Sequence, residues 1–377
     1  MSNRIHVIAF QVPYPADYGG VIDIYYKVKA LKQAGYSVAL HCYAYKGRGF
    51  DNNLYEVADE VYIYKRNIFL PDRFCLLPYI VKSRKSKELL NRLLMDNDPI
   101  LFEGLHTCYW LNSPLLQGRK KFVRAHNVES DYYYYLSGTT ISLKKKLFFI
   151  TESWRLKRYE PVLRYADVIF AITEKDRKYF INRYPSVDVR LLPCFHNGAY
   201  DNNSEWKKGD KKYLLYHGNL SVEENINVVY YLAERIIPQI EGVKWIIAGG
   251  NPPQELYEVV RDLPNVKLVS NPSTTKMSQL ITEAGANVLI TFQSTGIKLK
   301  LLNALYKGGF CIVNDKMTES TRVVDLCLVT HSDKDLVEAI KVTLSKVFCE
   351  EDESKRREML IKYYDNDENI KILTSLL

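Results

Sequence analysis

Short runs of apolar residues alternate along the whole chain with segments in which apolar residues recur at helical spacing. The first run, residues 5–10, is nearly continuous and lacks the alternation of a strand with one exposed face. Such a run is typical of a parallel sheet that is covered on both sides. Behind it, Ile24, Val28 and Leu31 fall on one face of a predicted helix, and Gly35 marks its end. The pattern predicts an α/β protein built from β-α-β units.

The same alternation continues on both sides of a polar, turn-rich segment at residues 193–212, which we predict to be a linker. Residues 1–192 and 213–377 then form two doubly wound domains, with the last helix able to pack back on the first, and 377 residues suit two cores better than one. Among the helices, one is expected to run from Lys82 to about Met95. The strands are predicted at residues 5–10, 37–43, 57–64, 99–105, 121–125, 167–173 and 189–192 in the first half, and at residues 213–216, 243–248, 266–269, 286–292, 310–313 and 327–330 in the second.

The stretch around Gly296 has the pattern of a phosphate site. An apolar strand leads into a small polar turn, and a helix with leucines at helical spacing follows, which we expect to begin near Leu299. This arrangement points backbone N–H groups at an anion. Lys298 and Lys300 lie where the positive end of the helix dipole disfavours cations. A bound anion would offset that cost, and we expect a nucleotide diphosphate.

Residues 295–304, Thr-Gly-Ile-Lys-Leu-Lys-Leu-Leu-Asn-Ala, resemble the donor loop and helix of family 4 glycosyltransferases, in the subgroup whose loop is Gly-x-Gly-(hydrophobic)-Lys-x-Lys. The resemblance implies the GT-B fold, in which two Rossmann-like doubly wound domains face each other across a cleft. It places the nucleotide sugar in the C-terminal domain and the acceptor in the N-terminal domain. Asn303 stands where the family has a glutamate that holds the donor ribose, and an amide binds a hydroxyl more weakly than a carboxylate does.

Two further glycine turns contribute to the expected donor site. Gly218 and Asn219 follow one predicted strand and Gly249 ends another, and the family places such turns near the donor phosphates, base and ribose. Glu223 and Glu224 stand where many members carry a basic pair, and we hypothesise that the two lysines of the donor loop supply that charge instead. The expected donor-binding residues are Gly218, Asn219, Gly249, Gly296, Ile297, Lys298, Lys300 and Asn303.

The acceptor side is expected in the N-terminal half. Gly19 and Gly20 form either a plain tight turn or a place where the backbone approaches a sugar. His106 and His126 follow predicted strands, and ligands of open α/β sheets collect at such carboxyl ends. A single histidine there is more often structural. However, His-Asn-Val-Glu, from His126 to Glu129, resembles the family loop whose histidine lies beside the transferred sugar. The resemblance therefore implies a catalytic role for His126, and acceptor-side roles for Gly19, Gly20, His106 and Glu129.

The net charge of +8 suits a phosphate-bearing ligand or an anionic membrane surface, but not a nucleic-acid binder with a concentrated basic stripe. Lysines 144–146 stand near Phe148, Phe149 and Trp154, and a second basic cluster spans residues 82–87. A solvated helix face is the usual explanation, and peripheral contact with an anionic membrane is the alternative. No apolar run is long enough to span a membrane, and no cysteine pair has metal or redox spacing. We expect a cytoplasmic protein.

These features predict a glycosyltransferase that moves a sugar from a nucleotide-sugar donor to a glycan or lipid-linked acceptor. No cofactor and no metal is expected, because lysines and helix N-termini supply the charge that a metal would supply. The resemblance implies retention of the anomeric configuration, in which the leaving phosphate can help to deprotonate the acceptor. A nucleotide-sugar epimerase on the same fold and a non-catalytic binding protein are the alternatives. The second alternative rests on Asn303, which stands in place of the family glutamate.

Overall fold

The computed structural model describes residues 3–45, 47–68, 75–140, 142–198, 213–293 and 298–377. The chain divides into two compact units. The first comprises Met1–His196 together with Tyr364–Leu377, and the second comprises Asn197–Tyr363. The first four residues of the predicted linker belong to the first unit, because Phe195 is completely buried in its core. Residues 199–212 lie outside the described part of the chain.

Each unit is built on one parallel sheet. The first sheet has the strand order β3-β2-β1-β4-β5-β6-β7, and the second has the order β10-β9-β8-β11-β12-β13. The strands are β1 Arg4–Ala9, β2 Ser37–Ala44, β3 Glu60–Lys65, β4 Ile100–Glu103, β5 Lys121–Ala125, β6 Val168–Ala171, β7 Asp188–Leu191, β8 Leu214–His217, β9 Trp245–Gly249, β10 Val266–Ser270, β11 Ala286–Leu289, β12 Phe310–Asn314 and β13 Leu328–Thr330. The α/β class and the doubly wound parallel sheets predicted from the apolar runs are confirmed.

Helices connect the strands in both units. The α-helices are α1 Gly19–Gln33, α2 Tyr79–Lys82, α3 Lys87–Leu93, α4 Glu129–Thr139, α5 Leu143–Tyr159, α6 Glu174–Arg183, α7 Glu223–Tyr231, α8 Gln254–Arg261, α9 Thr274–Glu283, α10 Leu299–Lys307, α11 Asp315–Thr318, α12 Asp333–Ser345, α13 Glu350–Tyr364 and α14 Asn366–Thr374.

The single helix predicted from Lys82 to Met95 is wrong, because the structure has two short helices there, α2 and α3. Between them the Arg84 side chain turns inward, and its Nε donates to the Phe10 carbonyl oxygen at 2.8 Å. Ser86 then caps α3 by accepting a hydrogen bond from the Leu89 amide at 3.1 Å. The basic cluster at residues 82–87 is therefore not a continuous exposed surface.

The chain returns to the first unit at its C-terminus. Ile370 and Leu373 of α14 are buried in the core that also contains β1 and α1. At the point of return, the Asn366 side chain donates to the His196 carbonyl oxygen at 2.8 Å, and His196 Nε2 lies 2.7 Å from the Tyr364 carbonyl oxygen. The two places where the chain leaves and re-enters this unit are thus joined by hydrogen bonds.

A buried chain of polar side chains crosses the first sheet. His6 on β1 contacts Asp96 at 3.0 Å and His41 on β2 at 2.9 Å, and His41 contacts the Tyr64 hydroxyl at 2.8 Å. Burial lowers the pKa of both His6 and His41. It also lowers the pKa of His196 to about 4. These imidazoles are therefore held neutral in the folded state.

This burial predicts a loss of stability in acid. An unfolded histidine has a pKa of about 6.5, so between that pH and the lowered folded pKa the unfolded state binds the extra proton. The free energy of unfolding then falls by about 1.4 kcal/mol per pH unit for each such histidine. We expect His196→Gln to reduce this slope between about pH 6 and pH 5, measured by urea unfolding. The exposed His331→Gln is the control. Equal slopes in wild type and His196→Gln would contradict this account.

Candidate functional site

In each sheet the chain order reverses between two neighbouring strands, at β1 and β4 in the first unit and at β8 and β11 in the second. Ligands of open α/β sheets bind beyond the carboxyl ends of the strands at such a switch point. The segments predicted to carry chemistry begin at these four strand ends and at the neighbouring ends of β5 and β9.

In the first unit, one phenylalanine ring gathers three of the predicted residues. The Phe10 ring lies 5.3 Å from the His106 ring and 5.4 Å from the His126 ring, centroid to centroid. A Cβ atom on Gly20 would lie 2.7 Å from Phe10 Cζ, so any larger residue there would require the Phe10 ring to shift. Gly19 is the first residue of α1. Gly20 therefore has a packing role beside the two histidines.

Beneath these rings lies a buried ionic cluster. Arg124 binds Asp23 through two hydrogen bonds of 2.9 and 3.1 Å, and Lys27 Nζ lies 2.8 Å from Asp23 and 2.9 Å from Glu103. His126 Nε2 lies 2.9 Å from Glu103 Oε2. Although burial opposes ionisation of Asp23, Arg124 and Lys27 hold the pKa of this carboxyl well below its usual range. The negative charges of the two carboxylates balance the positive charges of the two cations. The cluster holds one edge of the His126 ring through Glu103.

The same cluster includes a potential set of metal ligands. Ligand atoms of Asp23, Glu103 and His126 lie within 4.8 Å of one another. Both carboxylates are already neutralised by Lys27 and Arg124 at hydrogen-bond distance, so a divalent ion would add two positive charges to a balanced group. These residues do not fit a metal.

A second group of potential ligands, His6, Asp96 and Asp98, has the same limitation. Arg4 binds both aspartates, at 2.7 and 3.0 Å, and Arg119 binds Asp96 at 2.9 Å. This Asp-Asn-Asp triplet therefore has a structural role.

Glu129 and His106 form the polar part of the acceptor side that was predicted in the first unit. Glu129 is the first residue of α4, and burial raises the pKa of its carboxyl to about 8. Its Oε1 lies 3.8 Å from His106 Nδ1, which is too far for a hydrogen bond. Within the described residues, His106 Nδ1 is buried without a hydrogen-bond partner. This corner thus combines a carboxyl whose protonated form is favoured by burial with a ring nitrogen that has no partner within the described residues.

In the second unit, Gly218 and Gly249 bring two loops into direct contact. The Gly218 amide donates to the Ala248 carbonyl oxygen at 3.1 Å, and a Cβ atom on Gly249 would lie 1.9 Å from the Gly218 carbonyl oxygen. The Asn219 side chain accepts hydrogen bonds from Ser221 at 3.0 and 2.7 Å and closes the turn before α7. These three residues shape the ends of β8 and β9.

Lys300 lies in the first turn of α10 with its ammonium group turned inward. Its Nζ lies 3.1 Å from Asn225 Oδ1, 3.4 Å from the Tyr216 hydroxyl and 3.5 Å from the Ile290 carbonyl oxygen. All three partners are neutral. Burial lowers the pKa of this lysine to about 8, while Glu224 acts in the opposite direction. Lys300 is therefore an incompletely compensated cation at the end of the central strands.

Lys298 is the N-cap residue of α10, with an extended backbone, and the predicted helix start near Leu299 is confirmed. Burial lowers the pKa of Lys298, and Glu224 raises it in part. Gly296 and Ile297, the other loop residues expected to contact the donor, lie outside the described residues. The structure thus brings Lys298 and Lys300 to one helix start, with Glu224 as an acid near both.

The segment after β11 is held from two sides. Glu224 on α7 accepts hydrogen bonds from the Thr291 hydroxyl and from the Gln293 amide, the latter at 3.1 Å. Asn314, at the end of β12, accepts from the Thr291 amide at 3.2 Å and donates to the Thr291 carbonyl oxygen at 2.7 Å. Glu224, which stands where a basic residue was expected, therefore anchors the strand end that leads into the donor loop.

Asn303 Oδ1 on α10 and His217 Nε2 at the end of β8 are among the buried polar atoms of the second unit that lack a hydrogen-bond partner within the described residues. Burial lowers the pKa of His217 to about 3, so its ring is neutral. An unsatisfied buried acceptor costs about 1–3 kcal/mol, and a ligand hydroxyl would remove that cost. Within the described residues, Asn303 Oδ1 thus has an unused acceptor position, and its contact with a donor hydroxyl stays a prediction.

The sequence analysis did not identify the charged residues beneath His126 or the partners of Lys300. One signal was available, because Asp23 and Lys27 are four residues apart on the buried face of α1. Charged side chains among apolar positions of a helix indicate a buried ion pair. Tyr216 and Asn225 gave no such signal, since their role depends on how α7 and α10 meet.

No family model matches the chain. A relative from Klebsiella pneumoniae, described as an uncharacterized 44.6 kDa protein in cps region, is 23% identical over 340 residues, which cover 84% of each chain.

Solved structures resemble the chain over nearly its whole length. Sucrose-phosphate synthase from Thermosynechococcus elongatus has a TM-score of 0.69 at 16% identity, covering 99% of this chain and 98% of that one. The trehalose-6-phosphate structure from E. coli bound with UDP-2-fluoro glucose has a TM-score of 0.62 at 11% identity, with the same coverage. At such identities the similarity establishes the fold alone. The activity has to be inferred from the site residues. The predicted GT-B fold is confirmed: this chain has the two-sheet α/β fold of the GT-B glycosyltransferases.

Proposed function

We propose that the protein is a glycosyltransferase that takes a hexosyl group from a nucleotide sugar and transfers it to a glycan or lipid-linked acceptor. The second unit binds the donor and the first unit binds the acceptor. The single observation that carries the proposal is Lys300, a buried ammonium group held by neutral oxygens at the switch point of the second sheet. A diphosphate is the ligand that would compensate it.

The proposed roles of the donor residues follow from their positions. Lys300 and Lys298 stabilise the diphosphate, first of the bound donor and then of the leaving nucleotide. Gly218 and Gly249, whose backbones are in close contact, form the turns at the ends of β8 and β9 where the donor would bind. Asn303 Oδ1, buried without a partner within the described residues, accepts a hydrogen bond from a donor hydroxyl. The E. coli structure with UDP-2-fluoro glucose supports this class of donor.

In the first unit, we assign His126 to the transferred sugar and Glu129 with His106 to the acceptor. Glu103 is a positioning residue, because it holds His126 Nε2 at 2.9 Å. We propose transfer with retention and without a metal, since the carboxylates near His126 are already paired with cations. We propose a cytoplasmic location, because all seven cysteines are free thiols.

Lys300→Met tests the donor site, because methionine keeps the apolar stem and removes the charge. We expect nucleotide binding to weaken by about 1.5–3 kcal/mol, the value of a charge-assisted hydrogen bond. The ligand-free protein should gain stability. An ammonium group is better solvated in the unfolded state than in the folded state, and the methionine variant no longer pays this cost of burial. Titration calorimetry measures the affinity, with the nucleotide chosen by thermal shift from UDP, GDP, ADP and CMP.

The control is Lys307→Met, at the other end of α10, where burial also lowers the lysine pKa. It should leave nucleotide affinity unchanged. Lys298→Met should weaken binding as Lys300→Met does. If both Lys298→Met and Lys300→Met bind the nucleotide with wild-type affinity, then no diphosphate binds at the start of α10 and the proposed donor site is wrong.

His126→Ala should abolish most sugar transfer and leave nucleotide affinity within about twofold, because His126 lies in the first unit. Its turnover is measured with the donor selected by the screen, and the thermal shift produced by the nucleotide confirms that the variant is folded. If His126→Ala turns over at the wild-type rate, then the ring has only a packing role against Phe10.

Glu129→Gln tests whether the Glu129 carboxyl has a role in acceptor binding or only a structural role. The raised pKa means that the unfolded state releases a proton that the folded state keeps, so stability falls as pH rises from about 4.5 to about 8. The amide removes this cost, and we expect a gain of roughly 2–4 kcal/mol at pH 8 by urea unfolding. We also expect kcat/KM for the acceptor to fall by about tenfold or more.

Glu174→Gln is the matched control, since Glu174 is the first residue of α6 in the same unit and its side chain is 39% exposed. It should change neither quantity. A Glu129→Gln enzyme that is more stable and fully active would show that the carboxyl is not used in acceptor binding.

A further inference from the structure

The outer face of α5 carries an apolar stripe. Leu143, Leu147, Ile150 and Trp154 are 81%, 68%, 42% and 50% exposed. At about 100° per residue these four side chains fall within an arc of about 60°. Of the three aromatic residues expected at this surface, Trp154 belongs to the stripe, whereas Phe148 and Phe149 turn inward against Tyr79 and Tyr133. A single exposed apolar residue needs no explanation, whereas a continuous stripe on one helix does.

Basic residues flank this stripe on both sides. By the same geometry, Lys144 lies about 60° beyond one edge, while Lys157 and Lys146 lie about 20–40° beyond the other. All three are exposed. Glu152 is the only acidic residue in α5, and it is buried, where it accepts a hydrogen bond from the Ile80 amide at 2.9 Å. The exposed face of this helix therefore carries positive charge alone.

The position of the lysines adds a second argument. Lysines 144–146 occupy the first turn of α5, which contains no acidic residue. The positive end of the helix dipole disfavours cations there, so an external anionic surface would offset an unfavourable arrangement. An apolar stripe with a tryptophan and lysines along both edges is the pattern of a helix that lies in a membrane interface. Among the described residues, no helix has both the length and the apolar character to cross a bilayer.

We propose that α5 docks the first unit on an anionic lipid surface, with Leu143, Leu147, Ile150 and Trp154 inserted between the headgroups and the flanking lysines bound to lipid phosphates. The inference does not rest on the proposed transferase activity, and it is tested without nucleotide or acceptor. If the activity is correct, docking would present a lipid-linked acceptor to the same unit.

The test is flotation of the full chain with vesicles of phosphatidylcholine alone, or of phosphatidylcholine mixed with phosphatidylglycerol. We expect binding only to the anionic vesicles at about 0.1 M salt, and release at about 1 M, where the Debye length falls to about 3 Å. Lys146→Ala should weaken the partition coefficient by about fivefold, and Lys145→Ala, on the opposite side of the helix, by less than about twofold.

A matched pair of isoleucines tests the apolar stripe. Ile150 on α5 and Ile361 on α13 are 42% and 43% exposed, so the two Ile→Ser variants alter equal surfaces on different helices. Ile150→Ser should weaken flotation and Ile361→Ser should not. Absence of binding to anionic vesicles at low salt, or equal effects of the two variants, would overturn the proposal. It would also be overturned if Ile150→Ser converts an oligomer into a monomer in size-exclusion chromatography, because the stripe would then cover a second copy of the chain.

Discussion

The cost of burying a charge constrains the chemistry at the ends of both sheets. In the first unit, Lys27 and Arg124 are completely buried and are balanced by Asp23 and Glu103. Removal of any one member would leave an uncompensated charge in the interior, at a cost of about 3–5 kcal/mol. The cluster therefore behaves as a rigid base on which His126 is oriented. Its internal balance also leaves no charge available for a ligand.

In the second unit the buried cation has neutral partners instead of carboxylates. Lys300 is held by an amide oxygen, a phenol and a carbonyl, which solvate the ammonium without neutralising it. Glu224, the nearby acid, is engaged with Thr291 and Gln293. The buried charges of the first unit thus neutralise one another, whereas the buried cation of the second unit is left without full neutralisation. This difference is the physical basis for the proposal that the second unit binds an anionic substrate.

Periodicity predicted the parts of the structure that depend on local pattern. The order of strands and helices follows from apolar runs such as residues 5–10, and the start of α10 follows from the glycine turn and the leucines behind it. The interrupted helix at residues 82–95 could not be predicted, because its break depends on Arg84 reaching a carbonyl oxygen that is distant in sequence. The partners of Lys300 and His126 come from different elements, so they depend on packing and not on spacing.

The return of α14 to the first unit has a consequence for the order in which the protein is made. Ile370 and Leu373, which complete the core around β1 and α1, follow the whole second unit in the chain. The whole second unit is synthesised before them, so it has its complete sequence while the first unit still lacks a helix. The domain that is begun first is therefore finished last. A chain cut before α14 would keep the complete sequence of the second sheet but would leave the core around β1 and α1 open.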